Sequence, residues 1–151
     1  MRHRSRPLAG VTLALAGAGL LIGAAPGTTS VTVTVTDLRN TKGVVRACLT
    51  SDAKDFPKCN VAATSNKVVV DAATGLTFTF ENVAPGTYAI ALTHDENNNG
   101  KMDRALLLMP KEGYGFSRDA AVVMGPPKFK SAAFAVASEP LTQTIKMRYM
   151  L

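Results

Sequence analysis

The chain has no tryptophan, and its three tyrosines and six phenylalanines leave it only 6% aromatic. Its lysines and arginines are scattered singly, so there is neither a basic stripe nor a set of rings to stack bases on, which argues against nucleic-acid binding. No segment carries a helical repeat of apolar residues, which excludes a helix bundle. Histidine is almost missing: His3 lies at the extreme N-terminus, so His94 alone is left to serve a folded domain. With two cysteines and no further thiols, Cys48 and Cys59 make a poor zinc site.

The one long hydrophobic run is at the start. Residues 1–6 (MRHRSR) carry three arginines, and residues 8–25 are almost wholly Leu, Ala, Val, Gly and Ile. Charge on one side, an apolar stretch and a small-residue end form the pattern of a secretory signal peptide, and the Ala and Gly content argues against a retained anchor. Cleavage after Ala25 would leave Pro26 first, so we place the boundary at residue 27: 1–27 is the signal and 28–151 the domain. No cysteine near that junction offers a site for lipid. Export to the periplasm or the outside, with no membrane span after cleavage, is the expectation. The whole chain carries 17 Lys+Arg against 11 Asp+Glu; without Arg2, Arg4 and Arg6 the balance falls to 14 against 11, net +3, too mild to indicate a partner. About 120 residues remain, enough for one domain with one core.

An exported chain with two cysteines is expected to pair them. A Cys48–Cys59 disulfide would close a ten-residue loop and contribute about 3 kcal/mol in the chain-entropy account. Periodicity supplies the fold. Val31, Val33 and Val35 alternate with threonines, which is the two-residue repeat of a half-buried strand. Similar patterns cover 44–50, 67–71, 76–81, 88–93, 132–137 and 141–149. About seven short strands with turn signals between them predict an all-β, two-sheet antiparallel sandwich. The connection from Asp95 to Lys130 is long and rich in Gly and Pro. Within it, Leu106–Met109 is a candidate edge strand, and Tyr114, Phe116 and Phe129 are expected to cover one end of the sandwich.

The densest chemistry lies in residues 94–103, HDENNNGKMD. Counted from Asp95, the series Asp95, Asn97, Asn99, Gly100, Asp103 matches positions 1, 3, 5, 6 and 9 of an oxygen-ligand calcium loop. Position 12, where an EF-hand has glutamate, is Leu106, and the preceding segment reads as a strand. Asp95, Asn97, Asn99, the Lys101 carbonyl and Asp103 would supply five oxygens, with Glu112 or water beyond them. So few carboxylates imply weak binding, on the order of 0.1 to 1 mM. The alternative is a metal-free turn closed by its own side-chain hydrogen bonds.

Three separated segments, FENVAPGTYAIALTHDENNNGKMD, PKEGYGFS and GPPKFKSAAF, occur in the order seen in the bacterial exported family DUF2141, which the chain resembles along essentially all of 28–151. That resemblance implies an immunoglobulin-like or prealbumin-like sandwich in the cell envelope and supplies no activity.

The leading expectation is a non-catalytic envelope module that meets another protein or a surface glycan through its loop end, with or without calcium. One alternative is a hydrolase using His94 with loop carboxylates, Glu112 or Asp119, near Ser117. Another is a carrier of a small apolar ligand lined by Leu106–Met109, Tyr114 and Phe116.

Overall fold

A computed structural model describes residues 27–105 and 109–151. The expected signal segment, up to residue 26, and most of the Leu106–Met109 run lie outside the described residues. Two sheets pack face to face. The first holds β4 (Thr77–Val83), β1 (Thr29–Thr36) and β8 (Leu141–Lys146), in that order. The second runs β3 (Ser65–Asp71), β2 (Val44–Thr50), β5 (Gly86–Asp95). The far edge of β5 is shared: β7 (Phe134–Val136) pairs with its first residues and β6 (Gly113–Phe116) with its last. Among the described residues, no helix is long and apolar enough to cross a membrane.

The alternation read in the sequence is what fills the core. Val31, Val33 and Val35 of β1 point inward while the threonines between them face out, and Thr32 and Thr79 touch through their hydroxyls at 3.1 Å. Val45, Ala47 and Leu49 of β2, Phe78 and Phe80 of β4, Ile90 and Leu92 of β5, and Ile145 and Met147 close on one another between the sheets. β-branched and aromatic side chains suit this pleated, half-buried geometry. Every strand pair is antiparallel except β1 with β8, which is parallel in the register Val33↔Gln143, Val35↔Ile145. These are the first and last strands, so the rest of the domain serves as their crossover. β1 and β2 lie in opposite sheets, whereas the first two strands of an immunoglobulin constant domain are sheet neighbours. The strand order is therefore not that of an immunoglobulin constant domain.

Two features differ from the sequence reading. The long connection is not one loop: β6 interrupts it, and Arg104 and Pro110 form an isolated bridge beside it. β6 reads as a turn in sequence because Gly113 and Gly115 occupy its inward positions. A methyl group on Gly115 would sit 2.8 Å from Ile145 Cγ2 and 2.9 Å from the Lys146 carbonyl, and one on Gly113 would enter the Tyr149 ring. The glycines let the C-terminal segment lie directly against β6, where Tyr114 and Arg148 exchange backbone hydrogen bonds.

The outer face of β5 also carries a second, smaller core. Ala89 is buried there under Phe56, Phe116, Ala120 and Ala132, with Phe129 packed against them, and Phe56 meets the Phe116 and Phe129 rings edge-on at 5.9 Å. Phe56 belongs to the loop closed by the Cys48–Cys59 disulfide, whose Cα atoms are 6.3 Å apart. The disulfide therefore fastens the loop that roofs this face.

Candidate functional site

The loop end of the sandwich begins where β5 runs out. Asp95 is fully buried and accepts hydrogen bonds from Arg46 Nε at 2.6 Å, the Asn99 amide at 3.0 Å and the Gly100 amide at 2.8 Å. Arg46 reaches it diagonally across the β2–β5 ladder, where Val44 faces Asp95 and Arg46 faces Thr93, and also holds the Asn98 side-chain oxygen at 2.7 Å. Burial alone would raise the Asp95 carboxyl. The Arg46 hydrogen bond and the two amides outweigh it and hold the group below the usual carboxylate range.

Beyond Asp95 the expected ligands divide. Asn97, Asn99 and Asp103 converge: the Asp103 carboxylate accepts from Asn97 Nδ2 at 2.7 Å and from Asn99 Nδ2 at 3.0 Å. The amide oxygens of Asn97 and Asn99 accept from the backbone N–H groups of Asn99 and Lys101. Gly100, at φ +77°, makes the sharp turn that position 6 requires. Asp95 joins this group through the backbone but gives its charge to Arg46. Glu112 arrives from the segment before β6, and its Oε2 accepts the Asp103 N–H at 3.1 Å.

Glu112 is 3% exposed, and its second oxygen, Oε1, is one of three buried side-chain polar atoms without a hydrogen-bond partner among the described residues. Burial pushes the Glu112 carboxyl up. The Asp103 amide opposes that, and Asp95, Asp103 and Glu96 push it further up. Among the described residues, no three His, Cys, Asp or Glu side chains come together as a metal cluster. What is gathered is one carboxylate with two amides, and beside it a second carboxylate that lacks a partner.

A shallow cleft of about 320 Å³ opens next to this group, lined by Glu112, Asp103 and Asn97 with Arg39, Glu96 and Lys111. Arg39 is its fixed cation. The guanidinium pairs with both Glu96 oxygens, donates to the carbonyls of Lys111 and Leu151, and lies 4.4 Å from the Tyr149 ring centroid. Hydrogen bonding to Arg39 lowers the Glu96 carboxyl to about 2 despite partial burial, with Asn40 adding a second donor. Four chain segments are thereby tied at one point.

The hydrolase trio is not assembled. His94 is fully buried, with Nε2 donating to the Lys42 carbonyl at 2.8 Å and Nδ1 2.7 Å from the Tyr149 hydroxyl. Nε2 carries a proton because a carbonyl can only accept, and the Tyr149 hydroxyl occupies Nδ1. Neither nitrogen is free for a substrate. Ser117 is equally occupied, accepting the Ile90 amide at 2.9 Å and donating to the Ala132 carbonyl at 2.6 Å. It meets β5 at Ile90, four residues from His94, or about 13 Å along the strand. Asp119 pairs with Arg148 at the surface. Of the carrier's expected lining, Tyr114 and Phe116 pack into the second core, and residues 106–108 lie outside the described residues.

Sequence reasoning missed Arg39, Arg46, Glu96 and Tyr149 as parts of this end. Arg46 had a local signal, since it is a lone charge in the apolar run VVRACLT on the outward phase of β2. The others are joined only by the fold.

No curated protein and no solved structure matches the chain. The family model described as an uncharacterized protein conserved in bacteria, DUF2141, matches residues 33–144, and the chain belongs to that family.

Proposed function

We propose that this chain is a non-catalytic, exported module of the bacterial cell envelope that binds calcium weakly at its loop end and meets an envelope protein or a surface glycan there. The observation that carries the reading is the unpartnered, buried Oε1 of Glu112 beside the Asp103, Asn97 and Asn99 cluster. A buried carboxylate oxygen without a donor is costly, and a cation is one of the few groups that relieves it while leaving the charge in place. Asp103 and Glu112, the Asn97 and Asn99 side chains and the Lys101 carbonyl would hold the ion, which supplies only positive charge. The amide NH2 groups of Asn97 and Asn99 offer Asp103 positive charge density of the kind an ion would offer. Because Arg46 already neutralises Asp95, two carboxylates are left, which sets the affinity at the weak, extracellular end of the range.

The non-catalytic part of the reading rests on His94 and Ser117, whose polar atoms are engaged in separate parts of the fold. Export rests on the N-terminal pattern, and the disulfide agrees with it. The test is a calcium titration followed by backbone amide NMR. Saturable shifts at residues 97–103 and 112 below a few millimolar are expected; an unchanged spectrum in that range would sink the ion site.

A further inference from the structure

We infer that the loop following Ala120 is a docking tip for an anionic lipid surface. Val123 is 78% exposed and Met124 fully exposed, the most exposed of the large apolar side chains among the described residues. They are displayed, not merely uncovered. Val122 and Phe129 on either side are anchored in the second core, and the turn between them places Met124 at φ +59° and Gly125 at φ +145°. A non-glycine residue in the left-handed region is unfavourable, and among the described residues the Met124 side chain is covered by nothing that would compensate for it. An exposed methionine on a disfavoured backbone, held out by a packed base, calls for a partner outside the chain.

Charge selects the partner. Lys128 and Lys130 follow the tip on either side of Phe129, and Phe129 packs on Phe56, whose loop carries Lys54 and Lys58. All four lysines are exposed, and among the described residues none forms an ion pair. The acids of the same segments are turned to local duties: Asp52 accepts the Lys54 amide, Asp55 the Val61 amide, and Asp119 faces Arg148. An apolar tip followed by two exposed lysines, with two more on the loop that packs against its base, has the form of a peripheral membrane contact, in which shallow insertion and attraction to anionic headgroups add together. This surface is distinct from the loop end that carries the proposed ion site.

The experiment is vesicle co-sedimentation of the processed protein, purified from cells expressing the full chain. The vesicles are phosphatidylcholine alone or with about one third phosphatidylglycerol. Binding is expected only to the anionic vesicles and should weaken with salt. Lys128→Gln with Lys130→Gln should lower partitioning about 25-fold, at about fivefold per lysine near the surface. Val123→Ser with Met124→Ser should lower it by at least about tenfold through lost apolar burial, with an unchanged thermal melt because neither side chain packs in the fold. Failure of the parent protein to bind anionic vesicles overturns the proposal. So does tip-independent binding, which would be bulk charge attraction, and so does equal binding to neutral vesicles.

Discussion

The substitution Glu112→Gln separates an ion site from a self-closed turn. With a dissociation constant of about 0.3 mM, within the weak range set by two carboxylates, about 5 mM free calcium would stabilise the protein by RT ln(1 + [L]/Kd), or about 1.7 kcal/mol. A domain of about 120 residues shifts its melting temperature by about 4 °C per kcal/mol, so calcium should raise the melt by about 6–7 °C. Glu112→Gln keeps the acceptor for the Asp103 amide and removes the charge, so it should abolish that rise. In calcium-free buffer the variant should melt no lower than the parent, because the charge it loses lies near Asp95, Asp103 and Glu96. The assay is differential scanning calorimetry of both proteins with calcium, with magnesium and with chelator. A parent protein that ignores 5 mM calcium would refute the ion site, and a full rise retained by the variant would refute the part given to Glu112.

Three further outcomes follow from the structure. Cys48→Ser with Cys59→Ser releases a loop with a sequence separation of 11, and should cost about 2–3 kcal/mol by denaturant unfolding, less if the Phe56 roof holds without it. Gly115→Ala should destabilise the fold by about 1–3 kcal/mol in the same assay, since its methyl group meets Ile145 and a backbone carbonyl that cannot yield easily. The pH dependence has two limbs of opposite sign. Glu96 falls to about 2 in the folded state, chiefly through Arg39, so its contribution is complete above its unfolded value of about 4.5 and is lost as pH falls through about 2. With Arg39 about one third exposed, that contribution is about 1–2 kcal/mol after allowing for solvent screening. The Glu112 carboxyl is raised, so its contribution is present below the ordinary carboxylate range and is lost as pH rises through the folded value. Urea unfolding from pH 2 to 8 should therefore show an acid limb that Arg39→Ala removes and a neutral-pH gain for Glu112→Gln that vanishes in acid.

The sandwich was legible because its strands bury one face. Valines, phenylalanines and leucines at every second position declare both the element and the side that faces inward, as in β1, β4 and β5. β6 was not legible for the converse reason. Its inward positions are Gly113 and Gly115, and what they accommodate, Ile145 and Tyr149, lies some thirty residues away in sequence. The loop from Asp95 to Asp103 showed its turn and its oxygen spacing because both are local. The spacing makes Asp95 the first ligand, yet the structure answers its charge with Arg46 through the β2–β5 pairing, which spacing within the loop cannot reveal. His94 illustrates the same limit. Its burial follows from strand phase, whereas its bond to Tyr149 depends on where the C-terminus returns.

β5 fixes the relation between the two proposed surfaces. Its last residue, Asp95, anchors the polar loop, while Ser117, which ties down the base of the lysine-flanked tip through the Ala132 carbonyl, meets it at Ile90. Five residues of extended strand separate these anchors by about 17 Å. No side chain described at either surface belongs to both: Arg39, Arg46, Asp103 and Glu112 serve one, and Phe56, Phe129, Lys128 and Lys130 serve the other. Sites that far apart without a shared partner are expected to act additively. Calcium should therefore leave vesicle binding by the tip unchanged apart from ordinary screening, and the tip variants should leave the calcium shift of the melt intact. A coupling between the two would mean that β5 transmits a change along its length, which its ladders to β2, β6 and β7 are built to resist.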